Sequence, residues 1–396
     1  MNFQSLLHKA TTSIPMSDWE RDLFDFVKKW AGPEDFIEVK TSGSTGLPKL
    51  LRHRKDAMRE SARMTCDFLG LREGMKAMVC LSTRNIAGMM MVVRAFERDL
   101  DIIAVPPNSH PLRYPDEPVT IDFCAMVPAQ VYNSLQDDDE RLKLYNIKNI
   151  IIGGAPVSYA LQQEIRKMPG NVWATFGMTE TMSHIAMRKL NGPDASDDRY
   201  HLLEGITITT GKKGNLIIDA PYLPGKSIKT NDLVEITGPD TFRWLGRADH
   251  VINSGGKKIF PETVECIIAP VIWKIFSASA SLSDSSATLS DTSTSSRSEK
   301  NETTLSDRTL TSSTQRYFIA AMPHDRLGEV PVLVVEQPEP STETRESNLI
   351  TLQHELSAIL PHHEMPRDIR YIKKFIETPT GKIIRSATLK RLRAKG

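Results

Sequence analysis

The sequence Thr41-Ser42-Gly43-Ser44-Thr45-Gly46-Leu47-Pro48-Lys49 combines two glycines, four hydroxyl side chains and one lysine. Glycine permits backbone conformations and close approaches that a Cβ atom would block. Successive N–H groups, hydroxyls and the lysine can then surround an anion. Because the Walker pattern needs four residues between its first glycine and Gly-Lys-Ser/Thr, this loop is of a different kind. The stretch predicts a phosphate-binding loop, and the alternative is a flexible hydroxyl-rich linker.

The composition is that of an ordinary globular protein. The 396 residues are 40% hydrophobic and 25% charged, which suits about two or three domains with a large core. The formal net charge of +1 gives no overall preference for nucleic acid or for an anionic membrane. Four scattered cysteines without a C-x-x-C pair predict reduced thiols in a cytoplasmic protein. The N-terminus lacks a signal-peptide pattern, and no apolar run approaches the roughly 18 residues of a membrane span.

Strands alternate with helices in the first part of the chain, which predicts a mostly parallel α/β sheet. The apolar segment 149–152 ends in Gly153-Gly154-Ala155-Pro156 before a helical stretch, and open α/β sheets bind ligands at such strand ends. From about Ile206, short strands separated by turns predict a small β subdomain. We therefore expect an N-terminal domain over 1–245 and an α+β domain over 246–396.

The segment 277–316 differs from the rest of the chain. Serine and threonine fill 22 of its 40 positions, and apolar residues are few. Such a segment cannot bury enough surface to offset its ordering entropy, so we expect a disordered insertion within the second domain. A domain boundary at this point is the alternative.

Three further stretches follow the glycine loop: Phe176-Gly177-Met178-Thr179-Glu180, then Thr230-Asn231-Asp232 with Gly246-Arg247-Ala248-Asp249, then Pro379-Thr380-Gly381-Lys382. In this order and at these spacings they resemble the adenylate-forming superfamily of acyl-CoA synthetases, firefly-type luciferases and peptide-synthetase adenylation domains. The resemblance covers nearly the whole chain. It implies that family's α/β fold, with a large N-terminal domain that is truncated here and a small mobile C-terminal domain. It also implies an ATP-dependent, AMP-forming acid–thiol ligase that uses ATP, Mg²⁺ and CoA.

The resemblance also implies a role for each matching residue. The nucleotide phosphates would be held by Thr41, Ser42, Gly43, Ser44, Thr45, Gly46 and Lys49, with Thr179 on the α-phosphate and Glu180 on Mg²⁺. The adenosine would be held by Gly153, Gly154, Ala155, Phe176, Gly177, Asp232 and Arg247. Lys382 would catalyse adenylation, Asp249 would be the hinge, and Gly255 and Gly256 would lie beside CoA.

Some of these residues have simpler explanations. Glu180 could be a helix N-terminal carboxylate, Phe176 a core residue and Arg247 half of a surface ion pair. Asn231 replaces the glycine that is usual in the family, and leaves the aspartate intact.

The stretches Arg84-Asn85-Ile86-Ala87-Gly88-Met89 and 176–186 are most similar to short bacterial o-succinylbenzoate–CoA ligases of menaquinone biosynthesis. Many relatives have histidine where this chain has Asn85. The candidates for recognising the acid are Arg84, Asn85, Arg94, Ser183 and His184, and His184 could equally be structural. A CoA ligase for another aryl or short acyl acid, and a non-catalytic nucleotide-binding protein, remain open alternatives. No nucleic-acid partner is expected, and a homodimer is left open.

Overall fold

The structure is a computed structural model that describes residues 1–15, 17–40, 49–114, 120–223, 225, 227–283, 315–378 and 383–393. It divides into two compact units. One contains Met1–Asp249 and the described residues from Ile376 onward, and the other contains His250–Phe375. The division lies close to the predicted 245/246 boundary, but the segment after Phe375 is grouped with the larger unit. The functional domain boundary itself stays a prediction.

The larger unit alternates helices and strands in its first part and then continues as strands. Its elements are α1 Phe3–Thr12, α2 Asp18–Ala31, β1 Phe36–Lys40, β2 Leu50–Arg54, α3 Lys55–Leu69, β3 Lys76–Val79, α4 Ile86–Glu97, β4 Asp101–Ala104, β5 Phe123–Met126, α5 Pro128–Gln136, α6 Asp138–Tyr145, β6 Asn149–Ile152, α7 Tyr159–Ile165, β7 Asn171–Gly177, β8 His184–Lys189, β9 Tyr200–Leu202, β10 Thr207–Thr210, β11 Asn215–Asp219, β12 Ile228–Ile236 and β13 Thr241–Arg247.

The smaller unit has its own helices and strands. They are β14 Ile252–Ser254, β15 Lys257–Ile259, α8 Pro261–Ser283, β16 Tyr317–His324, β17 Gly328–Glu336, α9 Thr342–Ser357 and β18 Ile369–Ile372; α10 Arg385–Arg393 belongs to the larger unit.

One sheet of eleven strands runs through the larger unit in the order β10-β11-β12-β13-β9-β8-β7-β6-β5-β3-β4. The strands from β3 to β7 pair in parallel, which confirms the predicted α/β sheet. From β8 onward the pairing is antiparallel. The predicted β subdomain is therefore present as strands that continue the same sheet. Within this sheet, β12 is separated from β7 by β13, β9 and β8.

The parallel strands are buried on both faces, as their apolar runs predict. Alternate residues of β3, β5 and β6 belong to two different cores. One core contains side chains of α1 to α4, and the other contains side chains of α5, α6 and α7. The sequence predicts that the run Met89-Met90-Met91 in α4 fills the core, and its 8%, 0% and 0% exposure confirms this.

The strands β1 and β2 form an antiparallel ribbon in which Lys40 is opposite Leu50. They flank the glycine-rich stretch 41–48, which lies outside the described residues. The stretch Phe36-Ile37-Glu38-Val39 predicts a strand at β1, whereas no sequence pattern predicts β2. The reason is that Leu50-Leu51-Arg52-His53-Arg54 has too many charged side chains to give an apolar alternation.

The smaller unit is an α+β structure with five strands. Val264, Ile268, Ile272 and Phe276 recur every four residues along α8 and pack in its core. The helix continues to Ser283, so positions 277–283 of the predicted disordered insertion are helical. The remainder of that prediction, over 284–314, lies outside the described residues.

Across the described ranges, no helix has the length and hydrophobicity needed to cross a membrane. The same ranges hold no cluster of three or more histidine, cysteine, aspartate or glutamate side chains that could bind a metal ion.

Candidate functional site

The carboxyl end of β6 requires glycine for a local steric reason. A Cβ atom on Gly153 would lie 2.5 Å from Oγ1 of Thr175. That hydroxyl donates to the carbonyl of Ile152 at 3.2 Å, which holds it against the glycine. Gly154 is exposed and has a φ of +83°, a conformation that favours glycine. Glycine is thus explained at both positions by local structure, and the adenosine contact of Gly153, Gly154 and Ala155 stays a prediction.

The end of β7 lies beside this edge and turns sharply. A Cβ atom on Gly177 would lie 2.4 Å from the Cα of His184, because the chain folds back at once into β8. A short 3-10 turn over Thr179–Thr181 makes the reversal. Oγ1 of Thr181 accepts from the N–H of Met178 at 3.0 Å and donates to the carbonyl of Ser183 at 2.7 Å. These bonds fix the turn that carries Thr179 and Glu180.

Glu180 is exposed on this turn. The turn has three residues and no helix follows it, so the alternative of a helix N-terminal carboxylate loses its basis. Within the described ranges Glu180 forms no ion pair. A single free carboxylate, completed by phosphate oxygens and waters, is the usual protein contribution to a Mg²⁺ site. The residue therefore fits the metal role that was predicted for it.

Phe176 is half-buried in an aromatic cluster. Its ring centroid lies 5.5 Å from that of Tyr200 and 5.2 Å from that of Phe242. Phe176 therefore has the packing role that the sequence left as an alternative. The proposed contact with adenine stays a prediction.

Asp232 lies on β12 and is 8% exposed. The indole Nε1–H of Trp244, on the neighbouring strand β13, donates to Oδ1 of Asp232 at 3.0 Å. The backbone N–H of Asp232 donates to Oγ1 of Thr230 at 3.0 Å. The sequence did not single out Trp244. What could have indicated Trp244 is its position on β13, the strand that pairs with β12.

Arg247 is opposite Asp232 in the strand register. Its Nε–H donates to Oδ1 of Asp249 at 3.1 Å. The ion pair that the sequence left as an alternative is therefore present, and a ribose contact of Arg247 stays a prediction. Asp249 is the last residue of the larger unit before the division. This position suits a hinge, which also stays a prediction.

Three of the residues proposed to recognise the acid form a buried chain of hydrogen bonds. Arg94 is 2% exposed, and its Nη2 donates to Oγ of Ser183 at 2.5 Å. Oγ of Ser183 lies 3.2 Å from Nδ1 of His184, and Nε2 of His184 lies 3.1 Å from Oγ1 of Thr65. Thr65 in turn bonds to the carbonyl of Ser61 at 3.2 Å. The structure thus joins Arg94, Ser183 and His184, and adds Thr65, which no sequence pattern indicated.

The hydrogen bonds define the protonation of this chain. Burial, and then the charge of Arg94, lower the pKa of His184 well below its usual value, so the ring is neutral. Thr65 donates to Ser61, so its oxygen accepts from Nε2–H of His184, and Nδ1 accepts from the hydroxyl of Ser183. Ser183 then accepts from Arg94. Burial lowers the pKa of Arg94 to about 10, which leaves it protonated at neutral pH.

Arg94 carries its charge without a counter-ion among the described residues. No carboxylate pairs with it in that part of the chain, and its buried Nε has no hydrogen-bond partner there. A buried cation without a counter-ion is costly to maintain. The arrangement is therefore suited to an anion from outside the chain.

Arg84 and Asn85 are placed elsewhere. They lie just before the first residue of α4, nine and ten residues from Arg94, which is about 13–15 Å along the helix axis at 1.5 Å per residue. Nε of Arg84 bonds to Oδ2 of Asp22 at 2.7 Å, and its side chain is 69% exposed. The structure does not bring these two residues to the Arg94 chain.

Several predicted residues do not meet in the described part of the molecule. Lys49 is exposed just before β2, whereas the preceding loop residues Thr41 to Gly46 and Lys382 lie outside the described residues. Gly255 and Gly256 form the turn between β14 and β15, with φ of +56° and +80°. Their proposed place beside CoA stays a prediction.

Comparison with known proteins identifies the family. Residues 19–208 match the family model for AMP-binding enzymes. An acyl-CoA synthetase (AMP-forming)/AMP-acid ligase II-like protein from Dyadobacter fermentans is 32% identical, and the match covers 98% of each chain with a TM-score of 0.59. The chain belongs to the AMP-binding enzyme family. The fold predicted from the four motifs is confirmed by this similarity.

Curated relatives match at lower identity. A 2-succinylbenzoate–CoA ligase from Haemophilus influenzae is 24% identical over 257 residues, which is 58% of this chain and 52% of that protein. One from Listeria innocua is 23% identical over 291 residues, or 67% of this chain and 61% of that protein. This AMP-binding enzyme therefore spans about half to three fifths of the length of these relatives.

A solved structure of o-succinylbenzoate coenzyme A synthetase from Bacillus subtilis, in complex with ATP and a magnesium ion, has the same fold. The match is 17% identical with a TM-score of 0.62, and it covers 89% of this chain and 69% of that one.

Proposed function

We propose that this AMP-binding enzyme is an acid–thiol ligase that converts o-succinylbenzoate, ATP and CoA to o-succinylbenzoyl-CoA, AMP and pyrophosphate in menaquinone biosynthesis. Its family membership supports adenylation, and the names of its curated relatives support the acid. The observation that carries the choice of acid is the buried, unbalanced charge of Arg94. That charge suits a substrate with a second carboxylate, in addition to the one that is activated.

The reaction has two steps. A carboxylate is a poor acyl donor because it lacks a good leaving group. Its oxygen attacks the α-phosphorus of ATP, which forms an acyl adenylate and releases pyrophosphate. The CoA thiol then attacks the acyl carbon, the bond to AMP breaks, and the thiol proton passes to solvent.

The described residues would bind and orient the reactants. Thr179 would donate to the α-phosphate, and the carboxylate of Asp232 would accept hydrogen bonds from the ribose hydroxyls. Glu180 would hold magnesium, which when bound screens the charge of the triphosphate. Lys382, which lies outside the described residues, would stabilise the charge that develops at the reacting phosphate, as the motif predicts.

Arg94 would pair with the carboxylate on the aromatic ring. Ser183 orients the guanidinium, and the neutral His184 adds no second positive charge. One cation then faces one carboxylate. This balance favours an acid with a single extra negative charge over a fatty acid or a simple benzoate.

The test is turnover of two matched acids. The wild-type protein is incubated with ATP, CoA and either o-succinylbenzoate or 3-benzoylpropionate, which is the same molecule without the ring carboxylate. Pyrophosphate release and mass spectrometry of the products are measured. We expect o-succinylbenzoyl-CoA and AMP, and at least about tenfold lower kcat/KM for the monoacid.

Two results would contradict this proposal. Strong turnover of benzoates or fatty acids without turnover of o-succinylbenzoate would assign the enzyme to another acid. Nucleotide binding without pyrophosphate release from any acid would make it a non-catalytic member of the family.

A further inference from the structure

The carboxylate of Asp232 has a specific donor in its own sheet. The indole Nε1–H of Trp244 donates to Oδ1 at 3.0 Å, and Asp232 is only 8% exposed. An indole N–H can donate but not accept, so the direction of this bond is unambiguous. The donor is also neutral, so this hydrogen bond adds no positive charge beside the carboxylate.

The strand register explains how the two side chains meet. Val234 is opposite Trp244, while Asp232 is opposite Arg247, and the register shifts between them. The shift leaves one extra residue, Leu245, on β13. Such bulges re-aim side chains near functional sites. Here the diagonal neighbour Trp244 reaches Asp232, whereas the guanidinium of Arg247 bonds to Asp249.

The indole ring is itself held in place. Trp244 is partly buried and packs against the core that contains Phe242 and Val234. It has only two side-chain torsions, so packing of the ring fixes the direction of its N–H. A fixed donor on Oδ1 limits rotation of the carboxylate about its last torsion. The remaining lone pairs of the two oxygens then have a defined direction.

We propose that Trp244 is a positioning residue that orients the carboxylate of Asp232 toward the two ribose hydroxyls of ATP. The proposal rests on the ribose contact of Asp232 in the proposed function. A cis-diol requires two acceptors at fixed spacing, and a freely rotating carboxylate would present them only part of the time. Trp244 touches neither nucleotide nor acid in this role. Its effect passes through Asp232.

The experiment compares Trp244→Phe with wild type, using ATP and 2′,3′-dideoxy-ATP as nucleotides. The substitution keeps an aromatic ring and removes the N–H. We expect KM for ATP to rise about tenfold while kcat changes less than about twofold. KM for the dideoxynucleotide should be the same in both proteins, because it has no ribose hydroxyls for Asp232 to accept from.

Trp173→Phe is the matched control. It also removes an indole N–H from the same sheet, but the buried Nε1 of Trp173 has no partner among the described residues. We expect this variant to leave KM unchanged for both nucleotides. If Trp244→Phe folds poorly, 3-benzothienylalanine at position 244 keeps the two-ring volume without the N–H, and the same shift is expected.

The outcomes separate this proposal from the proposed function. An equal rise in KM for both nucleotides would make Trp244 a packing residue and overturn the proposal, as would an unchanged KM for ATP. Asp232→Ala tests the underlying contact. If that variant still prefers ATP over the dideoxynucleotide as wild type does, the ribose contact is wrong. If it loses the preference while Trp244→Phe retains it, only the positioning role fails.

Discussion

The Asp232–Trp244 pair and the Arg94–Ser183–His184–Thr65 chain are both buried polar arrangements, but they are assembled in different ways. The first joins neighbouring strands at positions 12 residues apart. The second joins α3, α4 and β8, and its longest step spans 119 residues. A strand register is enough to create the first, whereas the second exists only when three elements pack together. The two also differ in charge, since the pair holds an anion and the chain holds a cation.

This difference predicts what substitution will do in each region. In the Arg94–Ser183–His184–Thr65 chain, the cation has no counter-ion among the described residues. Removing its charge should therefore lower activity but leave stability unchanged or raised. In the Asp232–Trp244 pair, the hydrogen bonds contribute to both nucleotide binding and folding stability. A substitution there should therefore lower both.

The largest effect is expected at Arg94. Arg94→Gln removes the charge that would pair with the second carboxylate. We expect kcat/KM for o-succinylbenzoate to fall about hundredfold or more, with a much smaller fall for 3-benzoylpropionate. The thermal midpoint should stay the same or rise, because an unbalanced buried charge has been removed. Steady-state kinetics with both acids and calorimetry provide the measurements.

Arg84→Gln is the control for this prediction. Arg84 is exposed and bonds to Asp22, away from the chain. Its substitution should affect turnover of neither acid. A large loss of stability in Arg94→Gln, with equal losses for both acids, would instead give Arg94 a purely structural role.

The second-largest effect is expected at His184, where the free energy of unfolding should depend on pH. Burial lowers its pKa in the folded protein well below the value of about 6.5 in the unfolded chain. The unfolded state therefore binds more protons as the pH falls below about 6.5. The free energy of unfolding should then fall by about 1.4 kcal/mol per pH unit until the folded-state pKa is reached. Above about pH 7 this contribution is fully present.

Urea denaturation at pH 7.5 and pH 5.5 measures this effect. His184→Gln should remove this contribution to the pH dependence of the free energy of unfolding, even if it lowers stability at both pH values. His201→Gln serves as the control, since the side chain of His201 is 44% exposed. An unchanged slope in His184→Gln would show that the histidine titrates normally in the folded protein.

The smallest effect is expected in the strand pair. Thr230→Val removes the oxygen that accepts from the N–H of Asp232 and keeps the branched shape. We expect a loss of about 1 kcal/mol in the free energy of unfolding and a modest rise in KM for ATP. Urea denaturation and nucleotide kinetics check both.

Thr209→Val, at an exposed position of β10, is the matched control and should change stability by less than about 0.5 kcal/mol. If Thr230→Val is as mild as this control, the backbone of Asp232 does not depend on that hydroxyl.

Most regular elements could be predicted where the apolar pattern is strong. The apolar segment 149–152 coincides with β6, and the helices that the apolar pattern predicts over 54–69 and 86–96 are present as α3 and α4. The polar helix α6 was missed because it has little apolar periodicity. It is held instead by Asp137, whose side chain accepts from the N–H of Glu140 at 3.1 Å. The charged strand β2 was also missed because it has little apolar alternation. Its backbone pairing with β1 stabilises it as a strand.

The residues of the candidate site also divide into those that the local sequence predicts and those that depend on tertiary packing. The family motifs predicted Gly153, Phe176, Thr179, Glu180 and Asp232 as site residues from the sequence, and their roles stay predictions. Sequence reasoning could not separate Arg84, which lies just before α4, from Arg94 inside that helix, because the two are only ten residues apart. It also could not find Trp244, whose importance depends on a register shift in a facing strand.

The sequence by itself determined the family, the alternation of strands and helices, and the glycines at the strand ends. These features depend on local sterics and on the period of apolar residues, which are written along the chain. Only the tertiary structure decided that Thr65, Arg94 and His184 meet, and that the charge of Arg94 lacks a counter-ion among the described residues. Such contacts arise when distant elements pack, and the free energy of that packing is a property of the whole core.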